Sequence, residues 1–502
     1  MAAETLRDVI RHGAEAYGEQ TAFRYKVKKE IIDKSYNEVN LDSMAVSRAV
    51  EALGMKGKHI AVIGTTSYQW ITAYFGIVNS GSVAVPIDAQ FPAEAICELL
   101  NRADVEMLVY DELRSDVAGV VREKCPGIRH VVSMQAPDTV GDVLSLSRLI
   151  AENAGTYETE LSGSQLCTIL FTSGTTGRSK GVMLSHRNLT DNAVCLDMKI
   201  PAGTVSMTLL PINHVYCLTM DIIKGLYIGM IICINDSIMH VQRNMKLFKP
   251  EIVLLVPLVI ESIYGKLKDA GSLIPKKMVA KAAFGGNLRI ICSGGAYLDP
   301  DYVDRFKEYG ITILQGYGMT ECSPVISTNL EWENKKGSVG KLLPNCEAKV
   351  VDEEIWVRGS SVMQGYYKMP EQTAETLEDG WLKTGDLGYV DEDNFVYITG
   401  RRKNLIILAN GENVSPEELE NELSRSELVK EILVREKDKI IEAEVFPDYE
   451  YAKKKHIKDI RGTLQELIDG FNKDMPVYKR IYSLIVRETE FEKTPSKKIK
   501  RF

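Results

Sequence analysis

Short apolar runs that end in glycine or polar residues alternate along this chain with stretches whose apolar residues recur at helical spacing. Residues 5–17 have the helical pattern. Residues 59–64 (HIAVIG) form a short apolar run closed by glycine, as a buried parallel strand does. The pattern then predicts a helix over 68–80, a strand at 83–86, a helix through Leu99 and a strand at 107–110. This is βαβ rhythm. It recurs after about residue 165. A strand is expected at 167–171, a helix at 188–198 and a strand at 205–210, with further buried strands at 252–256 and 288–292. The expected fold class is α/β, a large N-terminal domain of two or more sheets wrapped by helices.

Beyond about residue 330 the texture changes. Strands at 348–352 and 354–358 alternate and are joined by tight turns, which predicts a small β subdomain. Gly400-Arg401-Arg402-Lys403 is a polar, basic break, and the domain boundary is expected there, dividing 1–402 from 403–502. The second part reads as a small α+β domain. Ser415-Pro416-Glu417-Glu418 opens a helix, with Ser415 as N-cap, Pro416 in the first turn and acids at the positive dipole end. Strands at 432–435 and 440–446 and a helix over 454–472 follow, before a lysine-rich tail.

Bulk composition narrows the function classes. At 502 residues the chain exceeds what one core organises, so several domains are expected. With 45% hydrophobic and 26% charged residues it reads as an ordinary globular protein, and a net charge of -8 argues against a nucleic-acid-binding surface. The apolar stretches 222–234 and 252–260 are too short to span a bilayer, and Lys224 interrupts the first. The start, Met1-Ala2-Ala3-Glu4, runs into an amphipathic pattern with acids, which predicts no signal peptide. Nine scattered cysteines form no CxxC pair, so neither structural zinc nor a disulfide framework is expected, and a reducing cytoplasm fits.

The strongest chemical signal is Leu170-Phe-Thr-Ser-Gly-Thr-Thr-Gly-Arg-Ser-Lys-Gly181. A buried strand runs into glycines and hydroxyls that end in a lysine. Gly174 and Gly177 let the backbone approach a polyphosphate, and successive N–H groups form an anion nest. Thr172, Ser173, Thr175 and Thr176 offer hydroxyl donors, and Lys180 a mobile positive charge. GxxxxGK[ST] is absent, so this is not a Walker A loop. The loop resembles that of the adenylate-forming superfamily of acyl-CoA synthetases, adenylation domains and luciferases. Further motifs follow in that family's order, and the resemblance covers essentially the whole chain.

The resemblance implies roles for the remaining motifs. In Gln315-Gly316-Tyr317-Gly318-Met-Thr320-Glu321, the tyrosine packs on adenine, Thr320 contacts the α-phosphate and Glu321 coordinates Mg²⁺. Taken alone, the glycine–tyrosine–glycine is a weak signal that a mere turn also gives, and Thr320-Glu321 in this register favours a site. Ser293-Gly-Gly295-Ala296 matches a glycine turn lining the adenine pocket. Asp386, in Gly-Trp-Leu-Lys-Thr-Gly-Asp, suits vicinal ribose hydroxyls because a carboxylate accepts two charge-assisted hydrogen bonds, and Arg401 also contacts the ribose. Lys403 occupies the family's hinge position. Gly411 lies in a loop that swings into the active site for thiol transfer, which makes the C-terminal domain a mobile one. Lys498 matches the tail lysine that bridges the carboxylate and the α-phosphate. Lys497 stands where the family has glycine and competes for that role.

The implied reaction has two steps, with ATP, Mg²⁺ and coenzyme A. A carboxylate attacks the α-phosphate to give an acyl-adenylate and pyrophosphate, and a thiol then displaces AMP. Positioning and charge stabilisation dominate the first step, so no protein nucleophile is required. The segment Leu209-Leu-Pro-Ile-Asn-His214-Val-Tyr216 matches the family's acyl-pocket motif. Amino-acid-activating relatives carry an aspartate near here. This chain has His214 and Tyr216 instead, followed by apolar and small residues, which suit a hydrocarbon chain or equally an ordinary buried helix. The wording of the motifs is most similar to bacterial fatty acyl-CoA ligases. Three readings stay open: a fatty acyl-CoA ligase, a stand-alone adenylation enzyme loading an acyl carrier protein's phosphopantetheine thiol, and a non-catalytic nucleotide-binding homologue. Retained Lys180, Glu321, Asp386 and Lys498 speak against the third.

Overall fold

A computed structural model describes residues 3–172, 179–269, 274–408, 412–437, 439–493 and 499–501. The chain divides into two units. The first holds 1–348, 357–383 and 393–395; the second holds 349–356, 384–392 and 396–502. Among the described residues no helix is long and apolar enough to cross a membrane.

Two large sheets build the first unit. One has eight strands, with Gly365–Tyr366, Lys180–Ser185, Leu166–Thr172, Val83–Ile87, His59–Ile63, Val105–Tyr110, His130–Ser133 and Val143–Ser145 side by side. From Leu166–Thr172 onward its neighbours run parallel, as the βαβ pattern requires. The other has nine strands, and its centre, Ile290–Ser293 through Ile231–Ile234, is also parallel. The central strands are apolar on both faces because helices cover both sides. In the eight-stranded sheet, Ala61, Val85, Leu108 and Ile169 share one core with Ile96, Leu100 and Val121 from the helices. In the nine-stranded sheet, Val253, Ile291 and Ile313 do the same with Phe248, Phe284 and Phe306. Burying side chains of this size contributes roughly 1.5–3 kcal/mol each before conformational entropy is subtracted.

Several expected boundaries move. The helix after the phosphate loop spans His186–Val194 and stops four residues short of the expected 198. The glycine–tyrosine–glycine of 316–318 is strand, the end of Thr312–Gly318, paired antiparallel with Val325–Thr328. In the second unit, the antiparallel pair Val429–Lys437 and Ile440–Pro447 is joined in parallel by Ile481–Val486. The helix expected over 454–472 is two helices, Tyr449–Lys454 and Ile460–Asp474. His456 between them has φ 58°, which no α-helix accommodates. Asp459 then starts the second helix by accepting from the Gly462 amide at 2.8 Å.

Candidate functional site

The phosphate-loop signal lies on a hairpin. Strand Leu166–Thr172 pairs antiparallel with Lys180–Ser185, and Thr172 stands directly opposite Lys180. Directly opposed residues share a face, so a hydroxyl and an ammonium lie side by side at the base of the loop. Arg102 braces that base. Its guanidinium donates to the Ser179 carbonyl at 2.6 Å and lies over the Phe171 ring at 5.7 Å. Ser173, Gly174, Thr175, Thr176 and Gly177 lie outside the described residues. The return strand that begins at Lys180 has no counterpart in the sequence reading.

Glu321 comes from a 3₁₀ turn, Thr320–Cys322, at the end of the strand holding Gln315, Gly316, Tyr317 and Gly318. Its carboxylate is buried, and Oε1 accepts from the Tyr366 hydroxyl at 2.8 Å. The same tyrosine presents its ring face to the Lys180 ammonium, 4.6 Å from the centroid. Two predicted charges of opposite sign therefore meet on one residue that sequence reasoning missed. Burial, then the Glu321 charge, pushes the Tyr366 phenol far above its ordinary range, so it remains a proton donor. Gly318 is required here: a Cβ would overlap the Pro324 carbonyl oxygen. Gln315 donates to the Leu298 carbonyl at 3.0 Å, which ties this strand to the loop after Gly295 and Ala296, both exposed.

Asn192, from the helix that follows the hairpin, clamps the far side of the Glu321 turn. Its amide nitrogen donates to the Cys322 carbonyl at 3.2 Å and the Val325 carbonyl at 2.8 Å, and its oxygen accepts from the Val325 amide at 3.1 Å. A polar residue at helical spacing with Asn188 and Leu189 on a buried face was the available signal.

The acyl-pocket segment enters a π-helical turn, Cys217–Ile223. His214 is solvent-exposed, yet its imidazole is held below its usual pKa by partial desolvation, which the Asp88 charge opposes. Tyr216 closes on the 293–296 turn, where a Cβ on Gly294 would come within 3.1 Å of its ring. The run beyond was expected to be apolar and small, but it buries two charge-bearing groups. Asp221 has neither oxygen in good hydrogen-bond geometry. Burial pushes it up to about 8, with the Cys217 thiol offsetting little. The Lys224 ammonium donates to the Ala193 and Leu196 carbonyls at 2.9 and 2.7 Å, and burial lowers it to about 8. An aspartate therefore lies close to the acyl motif after all, but in neutral form at pH 7 it is no counter-ion for an ammonium.

In the second unit, Asp386 and Arg401 are cross-strand partners in Trp381–Val390 and Val396–Arg401, with Arg401 Nε 2.6 Å from Asp386 Oδ1. Asp386 is buried and Arg401 half exposed. Glu354 organises the turn beside them. It accepts from the Gly385 amide at 2.8 Å and pairs with Arg402 at 2.5 Å. Lys403 has its pKa lowered by desolvation and by the neighbouring Arg401 charge. Ser415 does precede helix Pro416–Leu423, but its hydroxyl donates to the Thr399 carbonyl at 2.9 Å and caps nothing, correcting the expected N-cap bond. Gly411, Lys497 and Lys498 lie outside the described residues. The flanks of 494–498 are anchored. Lys493 pairs with Glu431 at 2.6 Å and bridges Ile499, and Arg501 pairs with Glu420.

Comparisons with known proteins give the family and the fold. A family model described as AMP-binding enzyme matches residues 10–367, and one described as AMP-binding enzyme C-terminal domain matches 403–502. The long-chain-fatty-acid–CoA ligase FadD15 of Mycobacterium bovis is 28% identical over 467 residues, 82% of this chain and 77% of that protein. The long-chain-fatty-acid–CoA ligase of Bacillus subtilis is 28% identical over 478 residues, 86% of this chain and 82% of its own. The crystal structure of the anthranilate CoA ligase AuaEII with anthranoyl-AMP superposes with a TM-score of 0.84 at 22% identity, covering 99% of this chain and 95% of that one.

Proposed function

Because this chain belongs to the AMP-binding enzyme family, we propose that it activates a fatty acid with ATP and passes the acyl group to coenzyme A. A carboxylate oxygen bonds to the α-phosphorus while the bond to pyrophosphate breaks. A thiolate sulfur then bonds to the carbonyl carbon while the bond to AMP breaks. The observation that carries this reading is the Thr172/Lys180 hairpin with Glu321 held by Tyr366 beside it, a cationic and an anionic group in the family's order. The phosphate loop, with Lys180, binds the triphosphate. Tyr317, Gly295 and Ala296 take adenine, and Asp386 with Arg401 takes the ribose.

Glu321 suits magnesium. Among the described residues no group of three or more acids, histidines or cysteines could hold a metal. Mg²⁺ needs no such cage, because one carboxylate with substrate phosphate oxygens suffices. When bound, the ion neutralises charge on the triphosphate. Thr320 meets the α-phosphate, Lys498 offsets charge as phosphorus becomes five-coordinate, and His214 lines the acyl recess. Residues 403–502 are the mobile part that carries Lys498 and the Gly411 loop. All nine cysteines are free thiols, which suits a reducing cytoplasm.

ATP–pyrophosphate exchange across a panel of carboxylic acids tests this, followed by trapping with coenzyme A or with a phosphopantetheinylated carrier protein. Exchange driven by fatty acids and a coenzyme A thioester are expected. Exchange driven by amino acids would overturn the substrate assignment. Exchange without any acid would favour a nucleotide-binding homologue, and a carrier-protein thioester alone would replace the acceptor.

A further inference from the structure

Tyr366 is absent from the motifs that carry the family resemblance, yet it touches two of the groups they contain. Its hydroxyl donates to Glu321 Oε1 at 2.8 Å, and its ring face lies 4.6 Å from the Lys180 ammonium. Its own position is over-determined. Strand Gly365–Tyr366 pairs with the strand that begins at Lys180, setting Tyr366 opposite Val182. The Tyr366 amide donates to the Thr373 hydroxyl at 2.9 Å, the Tyr367 amide to the Gly181 carbonyl at 2.8 Å, and the Met363 amide to the Glu321 carbonyl at 2.9 Å. The segment 363–367 thus laces the phosphate-loop hairpin to the Glu321 turn, and the side chain repeats that link.

We infer that Tyr366 is a positioning residue, which fixes the rotation of the Glu321 carboxylate for a magnesium-bound triphosphate and holds the Lys180 ammonium beside it. The inference rests on the nucleotide-binding reading above and goes beyond it by adding a residue with two separable actions. A carboxylate hydrogen-bonded through one oxygen has one orientation left to offer a metal. A cation resting on an aromatic face stays localised and only partly hydrated, ready to exchange the ring for phosphate oxygens.

The test uses the full chain with Tyr366→Phe, which keeps the ring and removes the hydroxyl, and Tyr366→Leu, which removes both. Binding of a non-hydrolysable ATP analogue is titrated at a series of Mg²⁺ concentrations and with a chelator, without acid or thiol. Tyr366→Phe is expected to raise the Mg²⁺ concentration for half-maximal binding about tenfold, the loss typical of a residue that orients a metal ligand, and to leave metal-free binding unchanged. Tyr366→Leu is expected to weaken metal-free binding as well, through Lys180. In a Glu321→Gln background the Phe substitution should add nothing. A Phe variant whose Mg²⁺ dependence stays within twofold of wild type, or which loses affinity equally with and without metal, overturns the inference. A wild-type chain that fails to bind the analogue overturns the functional reading itself, so the two failures are distinguishable.

Discussion

The oxygen that attacks phosphorus and the sulfur that later attacks carbon need different help, and Lys498 is where the difference can be measured. The first step builds charge around a five-coordinate phosphorus, whereas the second builds it on the carbonyl oxygen and on the departing AMP, so a cation placed for the first transition state is not placed for the second. Lys498→Ala is expected to lower fatty-acid-dependent pyrophosphate exchange on the order of 100- to 1000-fold. Thioester formation from supplied acyl-adenylate should stay within a few-fold of wild type. Equal loss of both half-reactions would contradict the assignment, and a Lys497→Ala variant showing the same split would move the role one residue back. Gly318 poses the opposite kind of test, because it carries no chemistry. A methyl there overlaps the Pro324 carbonyl oxygen in the strand that leads to Glu321. Gly318→Ala should destabilise the protein by about 1–3 kcal/mol in denaturant titrations and reduce exchange more than that loss of folded protein explains. Unchanged exchange would mean that the turn tolerates the shift.

At the scale of elements, the site is a hairpin and a turn held together by segments far away in sequence. Helix His186–Val194 contributes through Asn192, whose amide serves three backbone groups around residues 322–325. Asn192→Ala leaves buried carbonyls without donors, at a cost of about 1–3 kcal/mol. It should also raise the Mg²⁺ requirement for exchange, since the turn that carries Glu321 loses its clamp. A thermal shift with no change in Mg²⁺ requirement would confine Asn192 to stability. The strands and helices that frame this site were legible because each has a local cause. The apolar run ending at Gly64 and the helical spacing over 68–80 need only burial and periodicity to be read. Contacts such as Ser415 to the Thr399 carbonyl were not, because a hydroxyl before a proline reads as a cap until a strand from elsewhere takes the bond. The Asp459 cap was readable in principle, but continuous helical spacing across 454–472 masked it.

For the molecule as a whole, the least legible feature is charge inside the large unit. Residues 217–225 read as apolar because one aspartate and one lysine scarcely disturb the pattern, and spacing alone does not report that neither Asp221 oxygen has a partner in good hydrogen-bond geometry. The consequence is a pH-dependent stability with a definite sign. Asp221 moves from the ordinary 3.8 to about 8 on folding, so between about 4 and 8 the folded chain keeps a proton that the unfolded chain releases. Stability therefore falls as pH rises through that window. Lys224 moves from 10.5 down to about 8, so above pH 8 the unfolded chain binds the extra proton and this group's contribution improves with pH. Asparagine is neutral at every pH and matches the protonated acid in shape. Asp221→Asn should thus differ little from wild type in melting temperature at pH 5 and exceed it increasingly towards pH 8, by about 1 °C for each kcal/mol relieved. Circular-dichroism melts at pH 5, 6.5 and 8 measure this directly. A constant offset across the three would show that the Asp221 carboxyl keeps an ordinary pKa in the folded protein, because only a group whose proton affinity changes on folding can make the difference depend on pH.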